Sequence, residues 1–290
     1  MGEQWQAEAV VDEPLARSLI RAQFPDVAAD RVELVSAGWD YTIHRVDGTW
    51  AFRFPRREVV IAPMQVELRT LPALAPLLPV SVPAPVQLGK ASSQYPWPFY
   101  GSHWIPGREA TEAPDRGALA PQLGRILRAL HDARVDGLEF DVQRRADMRF
   151  RVPRTREALA AIGWEHPALD DLFASAEALP PAEPLAVCHG DLHFRQILVD
   201  GSRVTGIVDW VDACRSDPGV DLMVAFAFLD GDDRAAFFAA YGDAEDAWTI
   251  RARVLALFLS AVLARYGRAH ANGPVEREAR ASLDRAVSGL

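Results

Sequence analysis

Between Val187 and Asp200 the chain reads Val-Cys-His-Gly-Asp-Leu-His-Phe-Arg-Gln-Ile-Leu-Val-Asp, which sets two histidines, a carboxylate and an amide within the segment His189 to Gln196. A few residues on, Val204-Thr-Gly-Ile-Val-Asp-Trp210 ends a second apolar run on Asp209. Two short strands joined by a polar loop, with a carboxylate closing the second, predict a hairpin that gathers Asp191, Gln196 and Asp209 about one point. Phosphoryl transfer uses such a set. One carboxylate accepts a hydroxyl proton, while the second and an amide oxygen hold a magnesium ion that bridges phosphates. A solvent-facing loop whose polar residues cap turns would use the same residue types, and so would a metal hydrolase or nuclease. No His-x-x-x-His or cysteine-pair spacing accompanies the cluster, which disfavours the hydrolytic readings. The spaced Gln196 and the strand-ending Asp209-Trp210 disfavour the plain loop.

The elements that would position these groups fall into two textures. Residues 12–24 form an amphipathic helix with Leu15, Leu19, Ile20 and Phe24 on one face. Strand-like runs follow at 32–35, 41–46 and 49–54, with Asp47-Gly48 as a hairpin signal between the last two. A helix is expected over 62–77, kinked or shortened by Pro72, then a proline-rich stretch at 79–85 and a last strand over 100–106. From there the chain reads helical at 118–133 and at 154–179, the latter broken near Gly163–Pro167. A β block covers 185–209, and helix runs from about 219 to the end. The prediction is an α+β chain of two lobes meeting near residues 100–106: a small β-rich lobe over 1–101 and a larger helical lobe over 102–290.

The His-Gly-Asp-x-x-x-x-Gln loop with the following Ile-Val-Asp-Trp resembles the catalytic signature of the aminoglycoside and macrolide phosphotransferase family, whose members share the bilobal protein-kinase-like fold. The resemblance implies that His189 props the catalytic loop, Asp191 is the base, and Asp209 holds Mg2+ with Gln196. Asp217-Pro218 and Asp221-Leu222 match the family's Asp-Pro-x-x-Asp-Leu, where the second acid braces the loop. It also implies a phosphate loop at Ser36-Ala-Gly-Trp-Asp40 around Gly38, and a basic residue at Arg53 paired with Glu67. Main-chain groups near Ser102, His103 and Trp104 would read the base of ATP or GTP, the phosphate donor. Arg53 alternates with Phe52 and Phe54 and so takes the opposite face of its strand, where an exposed strand arginine is the plain alternative. The runs Gly-Trp-Asp-Tyr and Phe-Arg-Phe-Pro-Arg-Arg lean to the macrolide branch.

Two positions depart from the family pattern. Arg53 stands where a lysine is usual, and Gln196 where an asparagine, or in some macrolide enzymes a histidine, is usual. They motivate a non-catalytic nucleotide binder as an alternative, beside a kinase of a metabolite such as choline, homoserine or a sugar. Only eight steps separate Asp209 from Asp217, too few for the long segment on which a protein kinase docks a peptide. The acceptor is therefore expected to be a small molecule seated among helices of 140–180 and 219–270. An acidic rim of Asp212, Asp230, Asp232 and Asp233 would suit amino sugars; a helix-to-helix turn is the simpler reading of the last three.

Hydrophobic residues make up 49% and charged residues 24% of the 290, enough for a full core. The net charge of −9, from 31 basic and 40 acidic residues, disfavours nucleic acid and anionic membrane surfaces as partners. No apolar run approaches the roughly 20 residues of a membrane span. The start MGEQWQAEAVVDEP lacks the basic-then-apolar pattern of a secretory leader. Cys188 and Cys214 read as small buried hydrophobes in a cytoplasmic protein, not as a disulfide framework. Oligomeric state is not legible.

Overall fold

A computed structural model describes residues 7–38, 40–113 and 115–290; Trp39 of the expected phosphate loop and the start Met1–Gln6 lie outside the described residues. The chain divides into two compact units. The first comprises 1–75 and 81–106, and the second 76–80 and 107–290. The two units divide at Pro106–Gly107, just beyond the strand Phe99–His103.

The first unit opens with helix α1 (Glu13–Gln23), capped by Asp12, whose carboxylate accepts from the Leu15 N–H. A five-stranded antiparallel sheet follows, built from β1 (Val32–Ala37), β2 (Tyr41–Val46), β3 (Trp50–Pro55), β4 (Pro85–Gly89) and β5 (Phe99–His103) in the order β1-β2-β3-β5-β4. Asp47 and Gly48 both take positive φ (49° and 74°), as a tight β2–β3 turn requires. β4 is absent from the sequence prediction because Pro85 masks it. A proline at the first residue of an edge strand removes no ladder bond, so the strand is allowed. Phe52, Phe54, Phe99 and Tyr95 fill the core on one face, with Leu19 and Ile20 of α1. Helix α2 (Ile61–Leu74) carries Pro72 without ending there and passes into a 3-10 turn, Ala75–Leu77.

The second unit is helical around two small sheets. α3 (Ala120–Asp132), α4 (Met148–Ala161) and α5 (Leu169–Glu177) precede β7 (Ala186–Cys188), β8 (Ile197–Asp200), β9 (Arg203–Ile207) and β10 (Cys214–Ser216), with a two-residue β6 (Arg108–Glu109) ahead of them. Helices α6 (Gly219–Phe228), α7 (Gly231–Tyr241), α8 (Asp246–Ala269) and α9 (Gly273–Val287) close the chain. The hairpin expected around the polar loop is corrected here. β8 pairs with β9 across Gly201, while β7 pairs with β10, so the His189–Gln196 loop bridges two sheets. Runs of three or four apolar residues carry no information about their partner, hence the misassignment.

α8 is long and apolar enough by composition to cross a membrane (mean hydropathy 1.6), contrary to the reading of the unbroken sequence, which Arg251, Arg253 and Arg265 interrupt. In this fold it is a core helix. It packs on α4, α6 and α9, and Arg251 is buried with its guanidinium 2.8 Å from Asp217.

Gly124 lets α3 lie close against α7, because a Cβ there would stand 2.4 Å from the Phe237 carbonyl oxygen. That approach brings Tyr241 of α7 within 2.8 Å of the His131 ring near the end of α3. Gly124→Ala is therefore expected to push the helices apart and lower stability by about 1–3 kcal/mol, the cost of an overpacked core. Thermal unfolding of the variant, with the wild type alongside, measures it.

Candidate active site

Asp221, in the first turn of α6, is fully buried and its carboxylate organises the loop. Oδ2 accepts the His189 N–H (2.7 Å) and Oδ1 the Gly190 N–H (3.0 Å). The His131 Nε2–H reaches Oδ2 at 3.4 Å, and the Tyr241 hydroxyl donates to His131 Nδ1. Burial alone would raise this carboxylate. The hydrogen bonds from His131 and from the Gly190 N–H outweigh it and hold Asp221 below the usual carboxylate range. The brace expected of Asp221 thus extends through His131 to Tyr241 as one network.

Beyond this anchor the loop is set by its own main chain. Gly190 takes φ 91°, and a Cβ there would lie 2.2 Å from the Asp212 carbonyl oxygen, so only glycine fits. His189 Nδ1 accepts the Asp191 N–H (3.3 Å), which leaves Nε2–H to donate to the Val208 carbonyl (3.0 Å). The same logic orients His193. Its Nδ1 accepts the Arg195 N–H (3.2 Å), and Nε2–H faces Asp191 Oδ2 at 3.7 Å. Burial, then the nearby Arg195 and His189, depress the His193 ring to about 3, so it faces Asp191 as a neutral donor.

Asp191 keeps about a third of its side chain open (35%). Its carboxyl is nevertheless pushed well above the ordinary range, first by burial and then by the carboxylates of Asp212 and Asp209, with the Arg145 guanidinium opposing them. Asp209 has φ 67°, a left-handed conformation uncommon for a non-glycine residue, and its side chain accepts no hydrogen bond among the described residues. The Gln196 carbonyl oxygen accepts the Val208 N–H (2.9 Å), which sets Gln196 beside the strand end that carries Asp209. Gln196 Oε1 is buried and has no hydrogen-bond partner among the described residues. A buried orphan acceptor costs free energy unless something meets it. An all-oxygen set of Gln196 Oε1 and the Asp209 carboxylate fits a hard divalent cation such as magnesium.

Sequence-predicted residues of the first unit come out unevenly. Arg53 is buried (5% exposed), which removes the exposed-strand reading, and its guanidinium lies 4.0 Å from Glu67. Tyr41, which the sequence reading missed, donates its hydroxyl to the other oxygen of Glu67 (3.2 Å). The Gly38 N–H is bonded to the Tyr41 carbonyl (3.0 Å) and Arg56 donates to the Gly38 carbonyl, so this glycine closes a turn with both main-chain groups engaged. Ser102 is buried, His103 stacks on Trp50 (4.8 Å between rings), and the Trp104 N–H donates to the Thr49 carbonyl (2.7 Å). That bond takes the Trp104 N–H away from reading a base.

The acidic rim does not form as expected. Asp212 accepts from Arg145 (2.5 Å) and Gln143 (2.6 Å), two residues the sequence reading did not single out. Asp230 caps α7 by position and lies 3.4 Å from Arg285, while Asp232 and Asp233 occupy the first turn of α7, as the plain helix-turn reading has it.

An antiparallel sheet followed by a helical region, with an Asp-bearing loop tied to a buried helix acid, is the protein-kinase-like fold. The model of the phosphotransferase enzyme family (APH) matches residues 31–257, and the chain belongs to that family. An aminoglycoside 3'-phosphotransferase of Streptomyces ribosidificus is 31% identical over 179 residues, 57% of this chain and 65% of that protein. A homoserine kinase of Pseudomonas aeruginosa (strain UCBPP-PA14) is 32% identical over 128 residues, 41% of this chain and 38% of that protein. The chain thus spans less than two thirds of the length of these curated relatives. Two solved structures establish the fold. The GDP and kanamycin complex of APH(2'')-IIIa superposes with a TM-score of 0.71 at 22% identity, over 95% of this chain and 99% of that one. The macrolide 2'-phosphotransferase MphH from Brachybacterium faecium gives 0.64 at 23%, over 94% and 98%.

Asp221→Ala strands the His189 and Gly190 N–H groups and His131 in a buried site. It is expected to lower stability by about 3–5 kcal/mol, read as a drop in Tm. The folded-state depression of Asp221 also fixes a sign. The wild type's stability contribution is full above the ordinary carboxylate pKa and is lost as pH falls through the depressed one. Measured from pH 7 down to pH 3, the Tm gap between wild type and variant is expected to narrow toward the acid end.

Proposed function

We propose that this chain is a magnesium- and nucleotide-dependent phosphotransferase that phosphorylates a hydroxyl of a small-molecule antibiotic, an aminoglycoside or a macrolide. The observation that carries the reading is the trio of oxygen acceptors Asp191, Asp209 and Gln196 Oε1, none of which accepts a hydrogen bond among the described residues, in a chain of the phosphotransferase family. Asp191 takes the proton of the acceptor hydroxyl as its oxygen bonds to the terminal phosphorus and the bond to the nucleoside diphosphate breaks. Asp209 and Gln196 would hold magnesium, which would supply neutralisation of charge on the phosphates. His193 Nε2–H faces the Asp191 carboxylate at 3.7 Å, and His189 holds the loop to Val208. In the first unit Arg53, braced by Glu67 and Tyr41, supplies positive charge to the phosphates of ATP or GTP. The base lies by the Ser102–Trp104 strand end, read through groups other than the Trp104 N–H.

The free, buried cysteines Cys188 and Cys214 suit a reducing cytoplasm. A second reading, phosphorylation of a metabolite hydroxyl, draws on the resemblance to homoserine kinase.

The experiment is consumption of ATP and GTP by the purified protein with magnesium, against macrolides, aminoglycosides, homoserine and choline. Turnover is expected with one antibiotic class, lost on chelation with EDTA and reduced about 10²–10⁴-fold in Asp191→Asn, the range for a removed general base. The same substitution removes a carboxylate crowded by Asp209 and Asp212 and is expected to raise Tm. Preference for homoserine or choline in kcat/KM would establish the metabolite reading. Nucleotide binding without turnover on any acceptor would overturn both.

A further inference from the structure

Asp212 stands at a junction. Its carbonyl oxygen fills the space a Gly190 side chain would need, 2.2 Å from that Cβ position, so the segment after Asp209 lies directly on the catalytic loop. Its carboxylate is held from the other side, by Arg145 (2.5 Å) and Gln143 (2.6 Å) on the loop that leads into α4. Arg145 is 8% exposed and spends the rest of its donor fork on Asp141: NH1 donates to Oδ1 (2.7 Å), while the Arg145 N–H donates to Oδ2 (2.5 Å). Asp141 is itself tied to β10, its N–H donating to the Arg215 carbonyl (3.1 Å), and the Arg215 N–H donates to the Glu139 carbonyl (2.8 Å). The 139–145 loop is thus stitched to β10 at one end and, through one guanidinium, to Asp212 at the other. Between these points runs the short turn Asp209–Ala213, with Trp210 buried against the His189 ring (4.7 Å) and the Ala213 N–H bonded to the Trp210 carbonyl.

We infer that Arg145 is a positioning residue for phosphoryl transfer: by bridging Asp141 and Asp212 it clamps the Asp209–Ala213 turn onto the catalytic loop and so fixes Asp209 relative to Asp191. A planar fork that serves two carboxylates at once suits arginine and not lysine. Without the guanidinium, Asp141 and Asp212 repel each other, and Asp212 is free to leave Gly190. Arg145 is also the cation that opposes the crowd of acids around Asp191. The inference rests on the phosphotransferase reading, and it needs a readout that does not.

The test uses the full chain as wild type, Arg145→Met, Arg145→Lys and Asp212→Asn, with two measurements. Amide hydrogen exchange of peptides covering 189–191 and 209–214 reads the clamp whatever the activity. Faster exchange confined to these peptides is expected in Arg145→Met, with Arg145→Lys intermediate. Steady-state kinetics on the acceptor that responds is expected to show kcat reduced by about 10–100-fold in Arg145→Met, the range for outer partners of a metal site. Nucleotide KM should stay near the wild type, with Lys again between. Asp212→Asn keeps the Arg145–Asp141 pair and carries the test should Arg145→Met fail to fold; it is expected to show the same kcat loss. Unchanged exchange in both peptides overturns the inference. So does a raised acceptor KM at unchanged kcat, which would make Arg145–Asp212 an acceptor contact. A wild type without turnover sinks the phosphotransferase reading and the catalytic half of this one, and the exchange data then still decide whether the clamp exists.

Discussion

A carboxylate with no access to water governs the second unit. Asp221 lies in the first turn of a helix whose other side chains are almost all apolar and buried, and it meets two main-chain N–H groups and an imidazole. A buried charge is tolerable only when its acceptor sites are met. Asp221 is met by groups drawn from α3 and from the end of β7, 90 and 32 residues away in sequence. The loop after Cys188 therefore cannot drift without stranding the charge. That is why a stretch with glycine at φ 91° and no regular hydrogen bonding of its own keeps a single shape.

The same anchor makes a second, costlier feature sustainable. Asp191, Asp209 and Asp212 are gathered closely enough that the last two raise the proton affinity of the first. Asp209 is held in a left-handed conformation that most side chains avoid. Like charges and backbone strain at one place would relax outward if the surroundings allowed it. They are prevented by Asp221 under the catalytic loop, by Trp210 buried against His189, and by the Arg145 fork on Asp212. Each restraint comes from a different element, so the strained site belongs to the packing of the unit as a whole.

Legibility in the sequence followed the range of the interaction. The loop from His189 to Gln196 and the acid Asp209 were readable because their chemistry depends on residue type and near spacing. Arg53 was readable because strand alternation fixed its face, and its burial with Glu67 agrees. What failed was pairing. The strand β4 was hidden by Pro85, and β7 was joined to the wrong neighbour, since three apolar residues fit any sheet. Arg145 went unnoticed because its partner Asp212 is 67 residues away; the local signal, an acid at Asp141 four residues before it, is shared by many surface helices and loops. Gly38 fitted the expected loop by type, but its N–H is taken by Tyr41, a bond no residue pattern announces.

The departures at Arg53 and Gln196 raise the question of turnover against mere nucleotide binding, and the electrostatics bear on it. A metal-dependent binder would use oxygen donors such as those of Asp209 and Gln196, whose Oε1 is buried without a hydrogen-bond partner among the described residues. It has no use for Asp191. That carboxylate accepts no hydrogen bond short enough to stabilise its charge, sits among acids, and would be relieved by exchange for asparagine. A neutral histidine is nevertheless oriented toward it through a main-chain bond at Arg195, a contact that costs ordering and that metal binding does not require. A group kept at a free-energy cost, with a neighbour aimed at it, marks a functional position rather than a structural one. The balance of interactions therefore favours a chain that turns over.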